Sequence, residues 1–145
     1  MVNTRKTLGL EIGFAVELRL LDGVSAHHKC ELVQRLRARA EQLALRIGGD
    51  LLAFTVEAEG RDLAAADQAE MVNWLLDLPG ISSLCLGTLS TAADRRASPP
   101  QALLVVSMAD SAMVPLTMLY RCGRVPPEQY LQLADGLNRP APVLH

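Results

Sequence analysis

The side chains with the most chemical promise lie between residues 29 and 46. Lys29, Arg35, Arg37, Arg39 and Arg46 stand among Leu32, Leu36, Ala40, Leu43 and Ile47. In a helix those cations fall off the apolar stripe, and Arg35, Arg39 and Arg46 come near one another on successive turns. Guanidinium groups set out in this way suit a phosphate backbone, which they grip through paired hydrogen bonds. Such binding depends steeply on salt. The same residues also fit a solvated helix face, with Arg35 or Arg37 paired locally to Glu31 and Glu41. His27 and His28 open the segment. Adjacent histidines on a helix point about 100° apart, poor geometry for one metal ion, and Glu31 is the only acidic residue near them. They read as exposed, near-neutral histidines, and no metal site is expected.

Nothing else in the chain assembles a catalytic constellation. Ser82, Ser83, Ser90 and Ser98 lie in no GxSxG context, and Gly87 stands outside any phosphate-cradling loop. No acid–base pair, nucleophile, cofactor or small-molecule substrate is identified, so the chain reads as non-enzymatic; a deep pocket holding Glu57 or Glu59 as a perturbed carboxylate would reverse that. Cys30, Cys85 and Cys122 are odd in number and widely spaced, with neither CxxC nor metal-ligand spacing. They read as reduced, mostly buried thiols of a cytoplasmic protein. Two features suit contact with another protein. Trp74 lies just off a helical stripe, either as rim packing or as a recognition anchor. Met113, Met118 and Tyr120 form an adaptable apolar group that either covers the sheet as core or, if exposed, docks a homodimer or other partner.

The elements that position these residues follow from periodicity. Phe14, Val16, Leu18 and Leu20 alternate with Ala15, Glu17 and Arg19, a half-buried strand. Asp22 and Gly23 make a turn, Ser25 is placed to cap, and Ala26 to Ile47 reads as one long amphipathic helix stopped by Gly48 and Gly49. Leu51 to Ala58 is a second strand. Asp62 is placed to cap a second helix, Leu63 to Leu78, stopped by Pro79 and Gly80, and Ile81 to Leu89 is the third strand. Ala92 to Gln101 reads as a polar loop. A fourth strand, Ala102 to Met108, then precedes helices Ala112 to Cys122 and Glu128 to Leu137, with a frayed tail from Asn138.

A chain of 145 residues is one domain, with a core of Leu, Val, Ile and Ala because only 3% of residues are aromatic. Scarce rings disfavour a base-stacking platform, and a net charge of −2 supplies no global basic field. Residues Met1 to Thr7 lack the apolar core of a signal peptide, and no apolar run is long enough to span a bilayer. The fold expected is α+β: a three- to four-stranded sheet with two long helices on one face, a β-α-β-α-β core over residues 8–89. A β-α-α extension over residues 102–137 would cover the other face or an edge. The first two strands would run parallel if they are neighbours.

Residues 8–89 resemble the YggL family of small bacterial proteins associated with the large ribosomal subunit. The likeness rests on LGLEIGFAVELRL (Leu8 to Leu20), the long helix after DGVS, GGDLLAFTVEAEG (Gly48 to Gly60), and AAADQAEMVNWLLDLPGI (Ala64 to Ile81) with Asp67, Gln68, Trp74 and Leu75. The family carries a strongly basic N-terminal tail; here Arg5 and Lys6 precede Leu8. The resemblance implies a ribonucleoprotein partner, above all the large ribosomal subunit. Lys29, Arg35, Arg39 and Arg46 would then contact phosphate, assisted by Arg5 and Lys6. The alternative is a protein–protein or homodimerisation module that uses the C-terminal extension.

Overall fold

A computed structural model describes residues 11–97, 102–107 and 112–138. Along the chain these form β1 (Ile12–Leu20), α1 (Ala26–Gln42), β2 (Leu45–Gly49), β3 (Ala53–Ala58), α2 (Ala65–Leu75) and β4 (Ile81–Gly87). They continue as β5 (Ser90–Thr91), α3 (Ala92–Ala97), β6 (Ala102–Ser107), α4 (Met113–Arg121) and α5 (Pro127–Asn138). The α+β class is as expected, but the sheet has six strands, in the order β2-β3-β1-β4-β6, with β5 pairing to the start of β1.

The long first helix is shorter than its periodicity suggests. It stops at Gln42, and Ala44 turns the chain in a left-handed conformation at φ 55°. Leu45 to Gly49 then becomes a strand, because Leu45 and Ile47 satisfy an alternation of two as well as Leu43 and Ile47 satisfy a helical spacing. The glycine pair therefore marks a hairpin corner rather than a helix end. Gly49 takes φ 109°, and the Asp50 carboxylate accepts the N–H groups of Leu52 and Ala53.

That extra strand overturns the parallel expectation. The two strands predicted first are antiparallel neighbours, with Phe14 opposite Val56 and Val16 opposite Phe54. The parallel mate of β1 is β2, one position further out, since both run against β3. In the same way β3 and β4 both run against β1. Each helix α1 and α2 thus links parallel strands held one strand apart, the split βαβ arrangement of ferredoxin-like topology. Added to it are the β5–α3 segment and the β6–α4–α5 extension.

All the longer helices lie on one face. Phe14, Val16, Leu18, Phe54, Val56, Leu84, Leu86 and Val106 point to that side. They share one core with Leu36 of α1, Ala69, Val72 and Leu75 of α2, Met113 and Leu116 of α4, and Tyr130 and Ala134 of α5. The C-terminal helices therefore do not cover the second face: α5 packs on β6 and against α2, extending the same layer. Among the described residues, only α3, formed within the expected polar loop, reaches over the other side. Arg95 of α3 pairs with Glu57 of β3 at 3.2 Å. Asp62 also differs from expectation. Its carboxylate accepts the Ile12 N–H and ties β1 to the α2 entry, while Asp67 accepts the Ala64 N–H at the helix start. Strand β4 ends at Gly87, where the chain turns into β5. Met108 and residues 98–101 and 139–145 lie outside the described residues. Among those described, no helix is long and apolar enough to cross a membrane.

Candidate functional site

The cations of the first helix do not form one row. Leu32, Leu36 and Ala40 bury one stripe of α1. At about 100° per residue, Arg35 and Arg37 flank that stripe on opposite sides, about 160° apart. Lys29 and Arg37 line a shallow groove with Cys30, Asp50, Leu51 and Leu52 of the hairpin. Arg39 faces the other way, lining a cleft with Trp74, Asp67 and Glu70 of α2, and its Nη1 donates to Gln42. Arg46 is not on the helix at all. It sits on β2, where its Nη2 pairs at 3.0 Å with the buried Glu11. Lys29, Arg35 and Arg37 are exposed and have no ion pair among the described residues. Arg5 and Lys6 lie outside the described residues.

The histidines are less free than expected. His27 meets Glu31 at 3.1 Å. His28 is half-buried, with Nε2 at 2.9 Å from the Pro79 carbonyl, so it braces α1 against the turn that leads into β4. Among the described residues no group of three His, Cys, Asp or Glu could hold a metal ion. Cys30 and Cys122 are exposed, not buried. Cys85 is half-buried, and burial and the nearby Glu17 carboxylate push its thiol pKa upward.

On the C-terminal helices the residues singled out from the sequence part company. Met113 is 1% exposed and belongs to the core, because Met113, Leu116, Thr117 and Tyr120 form the inward stripe of α4. Tyr120 is a strut. Its ring stacks on Tyr130 at 4.5 Å, and its hydroxyl donates to Glu70 of α2 at 2.6 Å. Burial and that carboxylate hold the Tyr120 phenol well above its ordinary pKa. Beneath it, the hydroxyls of Thr117 and Tyr130 meet at 2.9 Å in the core. Trp74 is half-buried against the core, which fits packing at a rim. Met118 alone of the group is fully outward, at 60% exposure.

No family model, curated protein or solved structure matches this chain.

The site's geometry adds residues the sequence reading missed. Val114, 64% exposed, lies one turn before Met118 on the same flank of α4. The two line a groove of about 180 Å³ with Leu76, Asp77, Thr117 and Arg121. Arg121 pairs at 3.0 Å with Asp77, just past α2, and its Nε donates to Asn73 Oδ1, which holds α4 to the end of α2. Leu133 and Leu137 are likewise exposed one turn apart on α5. The i, i+4 spacing of Val114 and Met118, offset from the inward stripe, was the signal available. The sheet face away from the long helices carries Ala15, Glu17, Arg19, Ala53, Thr55, Ser83 and Cys85. None is aromatic, so this face offers bases nothing to stack on.

Proposed function

We propose that this chain is a non-enzymatic binding protein that self-associates through the outer flank of α4. The observation that carries the reading is Val114 and Met118, the two most exposed large apolar side chains among the described residues. An apolar strip on a helix, rimmed by the opposite charges of Asp77 and Arg121, can meet its own copy about a two-fold axis, each acid facing the other copy's guanidinium. Methionine supplies a side chain that adapts to such a contact. Sedimentation velocity over a hundredfold concentration range tests this. Wild type is expected to shift from monomer to dimer, and Met118→Glu with Val114→Glu to stay monomeric with an unchanged circular dichroism spectrum. A wild-type monomer throughout refutes the reading.

A second reading keeps the ribonucleoprotein partner suggested by the resemblance to the YggL family. It draws support from Lys29, Arg35 and Arg37, which are exposed and unpaired among the described residues. Because Lys29 and Arg37 share one flank of α1, Lys29→Glu with Arg37→Glu should abolish salt-sensitive co-sedimentation with ribosomes, whereas Arg39→Glu should weaken it little. Protein that never pellets with ribosomes at low salt counts against this partner.

A further inference from the structure

Away from α4, two shallow grooves adjoin at one end of the sheet. The larger, about 510 Å³, lies between α1 and the β2–β3 hairpin and is walled by Val33, Leu51 and Leu52. The smaller, about 330 Å³, follows the end of β1 and the turn into α1, past Leu20, Leu21 and Val24. Lys29 and Leu52 line both, so the two form one continuous trough. The backbone holds its sides together, because the Leu18 N–H donates to the Leu52 carbonyl at 2.9 Å.

The trough combines two features that a solvated surface has no need to combine. Leu21 and Leu52 stand 51% and 47% exposed within it. Neighbouring large apolar side chains left open in a concave surface mark a contact site. Beside them Lys29 and Arg37 are exposed, with no ion pair among the described residues. The Asp50 carboxylate at the rim is turned to the Leu52 and Ala53 N–H groups instead. Apolar walls flanked by unpaired cations complement a segment bearing apolar side chains and carboxylates, and a guanidinium takes a carboxylate through two parallel bonds. A phosphate backbone would use the cations but leave both leucines in water, and no ring lines the trough for bases to stack on.

We infer that this trough docks a short acidic, leucine-bearing segment of another protein: its apolar side chains lie against Leu21, Val33 and Leu52, and its carboxylates meet Lys29 and Arg37. The assignment does not rest on self-association through α4, and it gives the Lys29–Arg37 flank a protein partner in place of RNA.

The test begins with selection of phage-displayed random dodecapeptides on the full chain, followed by anisotropy titration of the enriched peptides. Enriched sequences are expected to set Asp or Glu beside Leu, Ile or Phe. Lys29→Glu with Arg37→Glu, and separately Leu21→Ser with Leu52→Ser, should each weaken binding at least about tenfold. Val114→Glu with Met118→Glu should leave it unchanged, so that failure here and failure of the α4 contact are told apart. In the wild-type chain, bound peptide should protect Cys30, which lines the trough, from iodoacetamide while the exposed Cys122 reacts as before. No enrichment, enrichment of basic sequences, binding that survives either double variant, or an unprotected Cys30 overturns the inference. So does protection of Cys30 by poly(U) or by phosphatidylserine vesicles but by no peptide, which would assign the trough to RNA or to a lipid surface.

Discussion

Arg95 offers a stringent check on the way α3 is fastened to the sheet. Its side chain is only 7% exposed, with Nη2 at 3.2 Å from Glu57 Oε2 and Nη1 donating to the Ser90 carbonyl. Breaking a buried ion pair costs about 3–5 kcal/mol when the remaining charge stays dry. The two partners are unequal in that respect. Glu57 is 23% exposed and can recover water when Arg95 is removed, so Arg95→Ala should cost about 2 kcal/mol. Glu57→Ala strands the drier guanidinium with only Ser90 as partner and should cost more, about 3 kcal/mol. Urea unfolding reads the difference directly. At a slope of about 2 kcal/mol per molar, Arg95→Ala should lower the midpoint by about 1 M with the slope unchanged. The double variant should show a coupling of about 1–2 kcal/mol. A coupling under about 0.5 kcal/mol, or an Arg95→Ala that costs more than Glu57→Ala, would show that the pair does not hold α3 in place.

Other outcomes follow from single contacts. Gly49→Ala should lose more than about 1 kcal/mol in the same urea assay, because its Cβ would come within 2.5 Å of the Ala53 carbonyl at φ 109°. Thr117→Val leaves the buried Tyr130 hydroxyl without its partner and should cost about 1–3 kcal/mol; loss under about 0.3 kcal/mol refutes the hydroxyl pair as a structural bond. Tyr120 links stability to alkaline pH. Its folded pKa lies above the ordinary 10.0, so its contribution is complete below that value and fades as pH rises above it, where the unfolded chain ionises first. Melting temperature should therefore fall between about pH 10 and 11, less steeply in Tyr120→Phe than in wild type. Parallel curves for the two would exclude this phenol as a source of the loss.

Much of the framework was legible because burial and period agree. The alternation of Phe14, Val16 and Leu18 and the spacing of Leu32, Leu36 and Ala40 are the core-facing sides of β1 and α1. Leu45 and Ile47 were ambiguous for a physical reason: five residues are too few to tell a period of 2 from one of 3.6 when a helix has just ended. Missing β2 misplaced Arg46 and reversed the relation between the first two predicted strands. Which sheet face receives α4 and α5 is equally absent from a one-dimensional pattern, because an apolar stripe says only that something covers it. The candidate surface was half legible. Met113 and Met118 look alike in composition, and only their angular positions against Leu116 and Thr117 separate core from exterior. The buried bond from Gln68 Nε2 to the Gly87 carbonyl gave no signal, since the two residues lie nineteen apart.

The central position of β1 in the sheet bears on how the chain emerges during synthesis. Val16 pairs with Phe54 on one side and with Leu86 on the other, so its partners lie 38 and 70 residues later. The α1 helix and the β2–β3 hairpin can form from near neighbours, but the strand at the middle waits for the most distant pairing. A nascent chain or fragment ending before Ile81 presents one side of β1 with its backbone groups unpaired. An unpaired strand edge of this kind templates association with other chains. Truncations in the 60–80 interval should therefore aggregate, whereas cuts after Thr91 should leave the inner strand satisfied.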